Sequence, residues 1–159
     1  MKKIIYTLTF IFTLLMFFGC STKLEIVNDT SFALDLISWF DQDGKRYWFG
    51  DDLVWDYVLH EYIYGLNPGS SDEQSVEPGD SPVYFWFPAG GPEFKTVDII
   101  SVDKREKESY VLTNNTLIIE ASGKSATIEE KATLISTTET STPDKNKRLQ
   151  EYNKMKTER

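Results

Sequence analysis

The chain of 159 residues carries 25 acidic and 17 basic side chains, a formal net charge of −8, one histidine and one cysteine. An acidic surface repels phosphate groups, so the composition excludes nucleic acid from the expected partners. A single histidine and a single cysteine do not make a zinc site. The length fits one domain that can bury a core of its own.

Residues 1–19 have the composition of an export signal. Lys2 and Lys3 are followed by an uncharged, largely apolar run from Ile4 to Gly19. As a helix this run spans about 24 Å, which is short of the roughly 30 Å hydrocarbon core of a bilayer. We therefore predict a signal peptide over residues 1–19 instead of a permanent transmembrane helix.

The only cysteine, Cys20, stands directly after this run. The segment Phe17-Phe18-Gly19-Cys20 resembles the lipobox of bacterial lipoproteins, with Phe17 and Phe18 in place of the usual leucine and small residue. The resemblance implies a diacylglyceryl group on the Cys20 sulfur, cleavage before Cys20 and acylation of the new amine. A lone cysteine also has no disulfide partner within its chain, and two or more acyl chains anchor a protein stably.

These features predict where the mature protein resides. We expect residues 20–22 to form a lipidated N-terminus and a short tether, with the lipid bilayer as a partner through acylated Cys20. The protein is then exported and anchored to a bacterial membrane. The outer membrane is favoured, because Ser21 is not the aspartate that marks inner-membrane retention in some lipoproteins.

Residues 23–136 are expected to form one β domain. Alternating apolar and polar residues mark short strands, and Asp43-Gly44 stands between two of them, which is a strong hairpin signal. Several strands at this spacing predict a mainly β protein, an antiparallel β-sandwich. The expected strands cover residues 24–27, 32–40, 45–49, 82–88, 97–102, 110–112, 117–120 and 126–128.

The turn signals add a weak resemblance to a fold family. Asn28-Asp29-Thr30, Asp43-Gly44 and the segment 77–81 before an apolar strand resemble the small immunoglobulin-like domains of bacterial envelope lipoproteins. That resemblance implies a fold and no activity. It leaves an envelope protein or a glycan as the possible partner.

Two segments stand apart from the strand pattern. Residues 51–66 place Val54, Tyr57, Val58 and Tyr62 on one helical face, so we expect a short helical or irregular aromatic insert, although a strand stays open. Residues 137–159 form a polar linker and a basic tail. Three apolar residues three positions apart bury too little to fix a helix, so we expect a disordered or marginally helical tail.

No catalytic residue and no cofactor is expected. A Ser-His-Asp triad would have to use His60, and no glycine-flanked nucleophile motif occurs. Asp41 and Asp43 are weak calcium candidates, since hard cations prefer oxygen ligands, but a hairpin turn explains both residues without a metal. We therefore expect a protein that is not an enzyme.

Aromatic residues are the better lead to function. Trp48, Trp55, Tyr57 and Trp86 are candidates for ligand binding, because aromatic rings among acidic residues suit sugar stacking or peptide binding. Core packing is the preferred explanation of the same residues, because aromatic side chains fill cores more often than binding sites. The preferred interpretation is a membrane-anchored envelope lipoprotein that acts as a non-enzymatic binding or structural module. The alternative is a small carbohydrate-binding or hydrolytic module that uses the acidic, aromatic segment 41–64.

Overall fold

A computed structural model describes residues 21–120, 123–137 and 142–159. The expected signal peptide, residues 1–19, and the expected lipidation site, Cys20, lie outside these ranges. Among the described residues no helix is long and apolar enough to cross a membrane. The described chain forms strands β1 to β13 at Lys23–Asp29, Leu34–Phe40, Arg46–Phe49, Asp52–Asp56, Glu61–Leu66, Ser71–Ser75, Gly79–Ser81, Tyr84–Trp86, Phe94–Thr96, Ile100–Val102, Lys107–Thr113, Leu117–Glu120 and Ser125–Thr127, and helices α1 and α2 at Ile128–Ser136 and Thr142–Glu158.

The strands form three sheets. The largest has the order β13-β12-β9-β8-β2-β5-β4, with β3 also paired to β2. A three-stranded sheet has the order β11-β1-β6, and β10 pairs with β7. All pairings are antiparallel except β1 with β11, which run parallel with Lys23 opposite Lys107. The strand β4 therefore lies at an edge of the largest sheet.

The main core lies between the eight-stranded and three-stranded sheets. Leu24, Ile26 and Leu112 from the smaller sheet join Ile37 and Phe85 from the larger one in a single buried cluster. The prediction of a mainly β protein with packed antiparallel sheets is confirmed. The immunoglobulin-like resemblance stays a prediction.

The hairpin that the sequence marks at Asp43-Gly44 is confirmed. Strands β2 and β3 pair on either side of it. The Asp41 carboxylate accepts the backbone N–H groups of Asp43 and Lys45, each at 2.9 Å. Gly44 has a φ of 78°, which a glycine adopts without strain.

Residues 51–66 form a β-hairpin, so the expectation of a helical or irregular insert is corrected. Trp55 lies opposite Tyr62 in the antiparallel pair β4–β5. The turn is held by the Asp56 carboxylate, which accepts the N–H groups of Val58 at 2.7 Å and Leu59 at 2.9 Å. The helical spacing in this segment is thus coincidental, and the alternation of buried and exposed residues is the informative pattern.

The C-terminal tail forms the 17-residue helix α2, which differs from the expected disordered or marginal tail. Tyr152 and Met155 are buried in a second apolar cluster against Leu36 and Ile63. Arg148 is also fully buried. The few apolar residues of α2 are therefore supplemented by a charged contact with the sheet.

The shorter helix, α1, follows β13 directly. Its N-cap is Thr127, whose side chain and backbone form a reciprocal capping box with Glu130. Ile128 and Ala132 join the main core. The strand expected at residues 126–128 thus ends where α1 begins, and α1 closes one end of the domain.

Candidate binding surface on the β4–β5 hairpin

The hairpin of β4 and β5 has two faces of opposite character. Val54, Asp56 and Ile63 are buried on one face. On the other face the residues are exposed, because the alternate side chains of a strand point to opposite sides of the sheet. We call this second set the open aromatic face, and its members are Leu53, Trp55, Tyr57, Tyr62 and Tyr64.

Helix α2 covers the first face through an ionic contact. The Arg148 guanidinium donates to the Asp35 carboxylate at 2.9 Å and to the Asp56 carboxylate at 2.5 Å, and it also donates to the carbonyl of Phe87. All three charged side chains are fully buried. Removing one partner from such a cluster leaves an uncompensated buried charge, which is strongly destabilising.

Asp35 is the strained member of this cluster. Burial raises its pKa to about 7, because desolvation outweighs the attraction of Arg148. Its second oxygen, Oδ1, has no hydrogen-bond partner among the described residues. The next residue, Leu36, has a φ of 48° where the pairing register between β2 and β8 shifts. The contact between Asp35 and Arg148 of α2 therefore lies next to a residue with a positive φ in β2.

Two of the four candidate aromatic residues lie beneath α2. Trp86 is fully buried, with the Arg148 guanidinium 5.0 Å from its ring centroid. Trp48 is also buried, and its indole N–H donates to the Glu158 carboxylate at 2.8 Å. These two rings are packing elements, so the structure does not bring them to a ligand surface.

The other two candidates are exposed. The side chain of Trp55 is 38% exposed and that of Tyr57 is 64% exposed. The Trp55 ring meets the Tyr62 ring edge to face at 5.1 Å between centroids. Edge-to-face contact is a favoured arrangement of two aromatic rings, so Trp55 and Tyr62 stabilise each other's position on this face.

An apolar cavity of about 380 Å³ adjoins this face. Leu53, Trp55 and Tyr57 line one side, and Ala132 and Ile135 of α1 line the other. We call this space the β4–α1 groove. None of the described residues that line it is charged. Its chemistry suits apolar side chains, and it offers no pair of carboxylates for hydrolysis.

The metal and catalytic candidates have structural explanations. Asp41 accepts two backbone N–H groups in its turn, and the Tyr47 hydroxyl donates to its other oxygen at 3.2 Å. His60 occupies the β4–β5 turn with a φ of 59°. Within the described ranges no group of three or more histidine, cysteine or acidic residues is arranged to hold a metal ion.

Sequence reasoning missed the ionic cluster. Asp35 stands in an apolar strand, and Arg148 stands on the apolar stripe of the tail, one position before Leu149. An isolated charge inside a strongly apolar strand is the available signal, because such a charge needs a partner. The partner comes from 113 residues away, and no local pattern identifies it.

Comparisons with protein-family models, with curated proteins and with solved structures found no match to this chain.

Proposed function

We propose that the protein is an exported, lipid-anchored envelope protein that binds a partner without catalysing a reaction. The observation that carries the proposal is the open aromatic face beside the uncharged β4–α1 groove. Soluble proteins rarely expose several large apolar side chains together unless the patch contacts something. Tyr and Trp are also the residues that most often anchor such contacts.

The position of the face relative to the anchor supports a partner outside the membrane. Cys20 precedes β1, and at that end the Thr22 hydroxyl accepts from the N–H of Arg105 at 2.8 Å. At the other end of β1, the Asn28 side chain donates to the carbonyls of Phe32 and Leu66. Phe32 lines the groove. The seven residues of β1 separate the two ends by about 20 Å.

A lipid on Cys20 therefore holds the opposite end of the domain at the membrane. The groove residue Phe32 then lies near the end of β1 away from the anchor, so the groove can meet a soluble or surface-bound partner. The short tether of residues 20–22 limits reorientation, because three extended residues span roughly 10 Å.

Glycan binding is the second candidate, and one observation favours it. The Trp55 and Tyr62 rings form a fixed, solvent-facing aromatic pair. Such rings can stack against the apolar face of a sugar. Sugar recognition also needs several polar side chains, whereas the groove beside this pair is mostly apolar, so a protein partner is the preferred proposal.

The anchoring part is tested by mass spectrometry of the mature protein. We expect the N-terminal peptide to begin at Cys20 and to carry acyl chains, and a Cys20→Ser variant to accumulate with its leader intact. Recovery of the native chain with an intact leader, or with an unmodified thiol at residue 20, would overturn lipid anchoring.

The binding part is tested by site-specific photo-crosslinking on intact cells. A photoreactive residue at Tyr57 should give a discrete crosslinked species that Trp55→Ala removes. The same probe at Val111, an exposed residue of β11, is the matched control and should give none. Equal crosslinking at both positions would contradict a binding role for the open aromatic face.

A further inference from the structure

We propose that the β4–α1 groove takes an extended, basic polypeptide segment that adds as a new strand to the free edge of β4. The inference rests on the proposed binding role and specifies the partner's chemistry. Its test below is arranged so that the two can fail separately.

Strand β4 has an unpaired edge within the described ranges. Among the described residues, β4 is paired with β5 on one side and with no strand on the other. An unpaired edge presents a row of backbone N–H and C=O groups, which another extended chain can satisfy. Strand addition of this kind is a recurring mode of peptide recognition.

The β4–α1 groove determines which side chains an added strand would need. A strand added beside β4 directs every second side chain to the face that carries Leu53 and Trp55, because side chains alternate along a strand. On that face the added side chains meet Ala132 and Ile135 across the groove. A volume of about 380 Å³ lies within the size range of ligand pockets, so the groove can accommodate apolar side chains. The occupant therefore needs apolar residues at alternate positions.

Acidic side chains stand around the β4–α1 groove. Asp51 and Asp52 stand at the start of β4. Glu129 lies on the side of α1 that carries the groove residues Thr133 and Ser136, four and seven positions further on. No described cation forms an ion pair with any of these three carboxylates. Because the rim is acidic and the groove itself uncharged, a segment with lysine or arginine between its apolar residues is complementary.

Asp52 keeps its charge over a wide pH range. Its pKa is lowered by a hydrogen bond from the Ser70 side chain and by the N–H of Asn67, which donates to it at 2.9 Å. A cation directly after α2 already contacts the open aromatic face: the guanidinium carbon of Arg159 lies 4.3 Å from the centroid of the Tyr64 ring. It also donates to the carbonyl of Gly50, so it is already engaged.

The probe is the synthetic peptide acetyl-Lys-Phe-Lys-Val-Lys-Phe-Lys-Val-amide, titrated into the full-length chain purified from the cells that express it. The chain is held in zwitterionic lipid nanodiscs, with empty nanodiscs as the blank. We expect saturable binding that changes Trp fluorescence. Trp55→Ala should weaken the affinity at least 10-fold, and the matched control Val111→Ala should bind as the unmodified chain does.

Backbone-methylated peptides distinguish strand addition from simple apolar contact. One peptide is N-methylated at every lysine and the other at every apolar residue, so each loses the N–H groups of one strand edge. We expect one of them to lose at least 10-fold in affinity and the other to keep it. A version with glutamate in place of lysine should also bind at least 10-fold more weakly.

Equal binding of both methylated peptides, no effect of Trp55→Ala, or no binding at millimolar peptide would overturn the inference. A soluble glycan that binds without displacing the peptide would be compatible with the inference. A glycan that binds at Trp55, in a chain that does not bind the peptide, would overturn the inference. Mass spectrometry of the same sample reports the lipid separately. A lipidated chain that ignores the peptide overturns only this inference, and an unlipidated chain that binds it overturns only the anchoring.

Discussion

The two faces of the β4–β5 hairpin differ both in the residues that they carry and in what covers them. Ile63 lies on the face that packs against Tyr152 and Met155 of α2, which we call the sealed face. On this side Arg148 of α2 also pairs with Asp35 and Asp56 in a buried cluster. The rings of Trp55 and Tyr62 on the opposite face are partly exposed to solvent. The difference teaches that the tail helix combines a small apolar contact with a buried ionic one, and that it covers only one face of the hairpin.

The largest effect should come from removing the cation on the sealed face. Arg148→Met leaves two buried carboxylates without compensation, so we expect a loss of about 3–5 kcal/mol in the free energy of unfolding. Urea denaturation followed by Trp fluorescence measures it. Lys147→Met, which removes a neighbouring exposed cation, is the matched control and should change stability by about 1 kcal/mol or less.

Neutralising the stranded carboxylates tests the reason for that loss. Adding Asp35→Asn and Asp56→Asn to Arg148→Met should recover part of the lost stability. A change below about 1 kcal/mol for Arg148→Met alone would show that α2 docks by apolar packing and would break the comparison between the two faces.

Tryptophan deletions compare the two faces directly. Trp86→Ala removes a fully buried ring and should cost about 3–5 kcal/mol of the free energy of unfolding. Trp55→Ala removes a partly exposed ring and should cost about 1 kcal/mol or less. The same denaturation assay measures both variants. Equal losses would mean that the open aromatic face is a structural element and not a surface kept for binding.

The stability of the protein should depend on pH through the carboxyl group of Asp35, which lies in the buried cluster beneath α2. The pKa of Asp35 is about 7 in the folded chain against an ordinary 3.8, so the folded state holds a proton that the unfolded state releases between those values. This contribution to stability is complete below about pH 4 and is lost as the pH rises through about 7, with a limiting slope of about 1.4 kcal/mol per pH unit.

Asp35→Asn isolates that contribution. Denaturation of the parent chain and of the variant at about pH 4.5 and pH 7.5 should show that the parent loses more stability than the variant as the pH rises. Asp43→Asn, at an exposed turn, should follow the parent. Parallel pH profiles for the parent and Asp35→Asn would contradict the raised pKa.

The smallest expected effect concerns the wall of the β4–α1 groove. Thr127→Ala removes the N-cap of α1, whose hydroxyl accepts from the N–H of Glu130, and should cost about 1 kcal/mol. Amide hydrogen exchange should accelerate in α1 and leave α2 unchanged. Thr133→Ala, inside the same helix, should leave exchange near that of the parent, and faster exchange in both helices would show that the two ends of the domain are coupled.

The strands and turns of the domain could be predicted because their signals are local. Asp43-Gly44 marks a hairpin through glycine's access to positive φ, and alternation marks the strands on either side of it. The β4–β5 hairpin was harder, since Val54, Tyr57 and Val58 satisfy a helical spacing as well. Its turn depends on the Asp56 carboxylate and on a positive φ at His60, which is rare for a residue with a side chain.

Whether each candidate aromatic ring is buried or exposed could not be predicted, and the reason is different. Trp48 and Trp55 both stand in short strands among other aromatic residues, yet Trp48 lies under α2 and Trp55 is partly exposed. What separates them is helix α2, which is held in part by Arg148, whose partners are 113 and 92 residues away. Single-sequence patterns carry no information on pairing over such distances, so the sequence alone leaves all four candidate rings equivalent.

The central position of β1 in its three-stranded sheet affects the order in which the sheets can form. Its two neighbours, β6 and β11, come from residues 71–75 and 107–113. A ribosome makes the N-terminal residues first, so β1 can pair with β6 only after residue 75 has been made and with β11 only after residue 113. Non-local pairing of this kind also slows folding. Six strands of the largest sheet, β2 to β5, β8 and β9, precede β11 along the chain, so the small sheet is completed only after most of the large sheet can form.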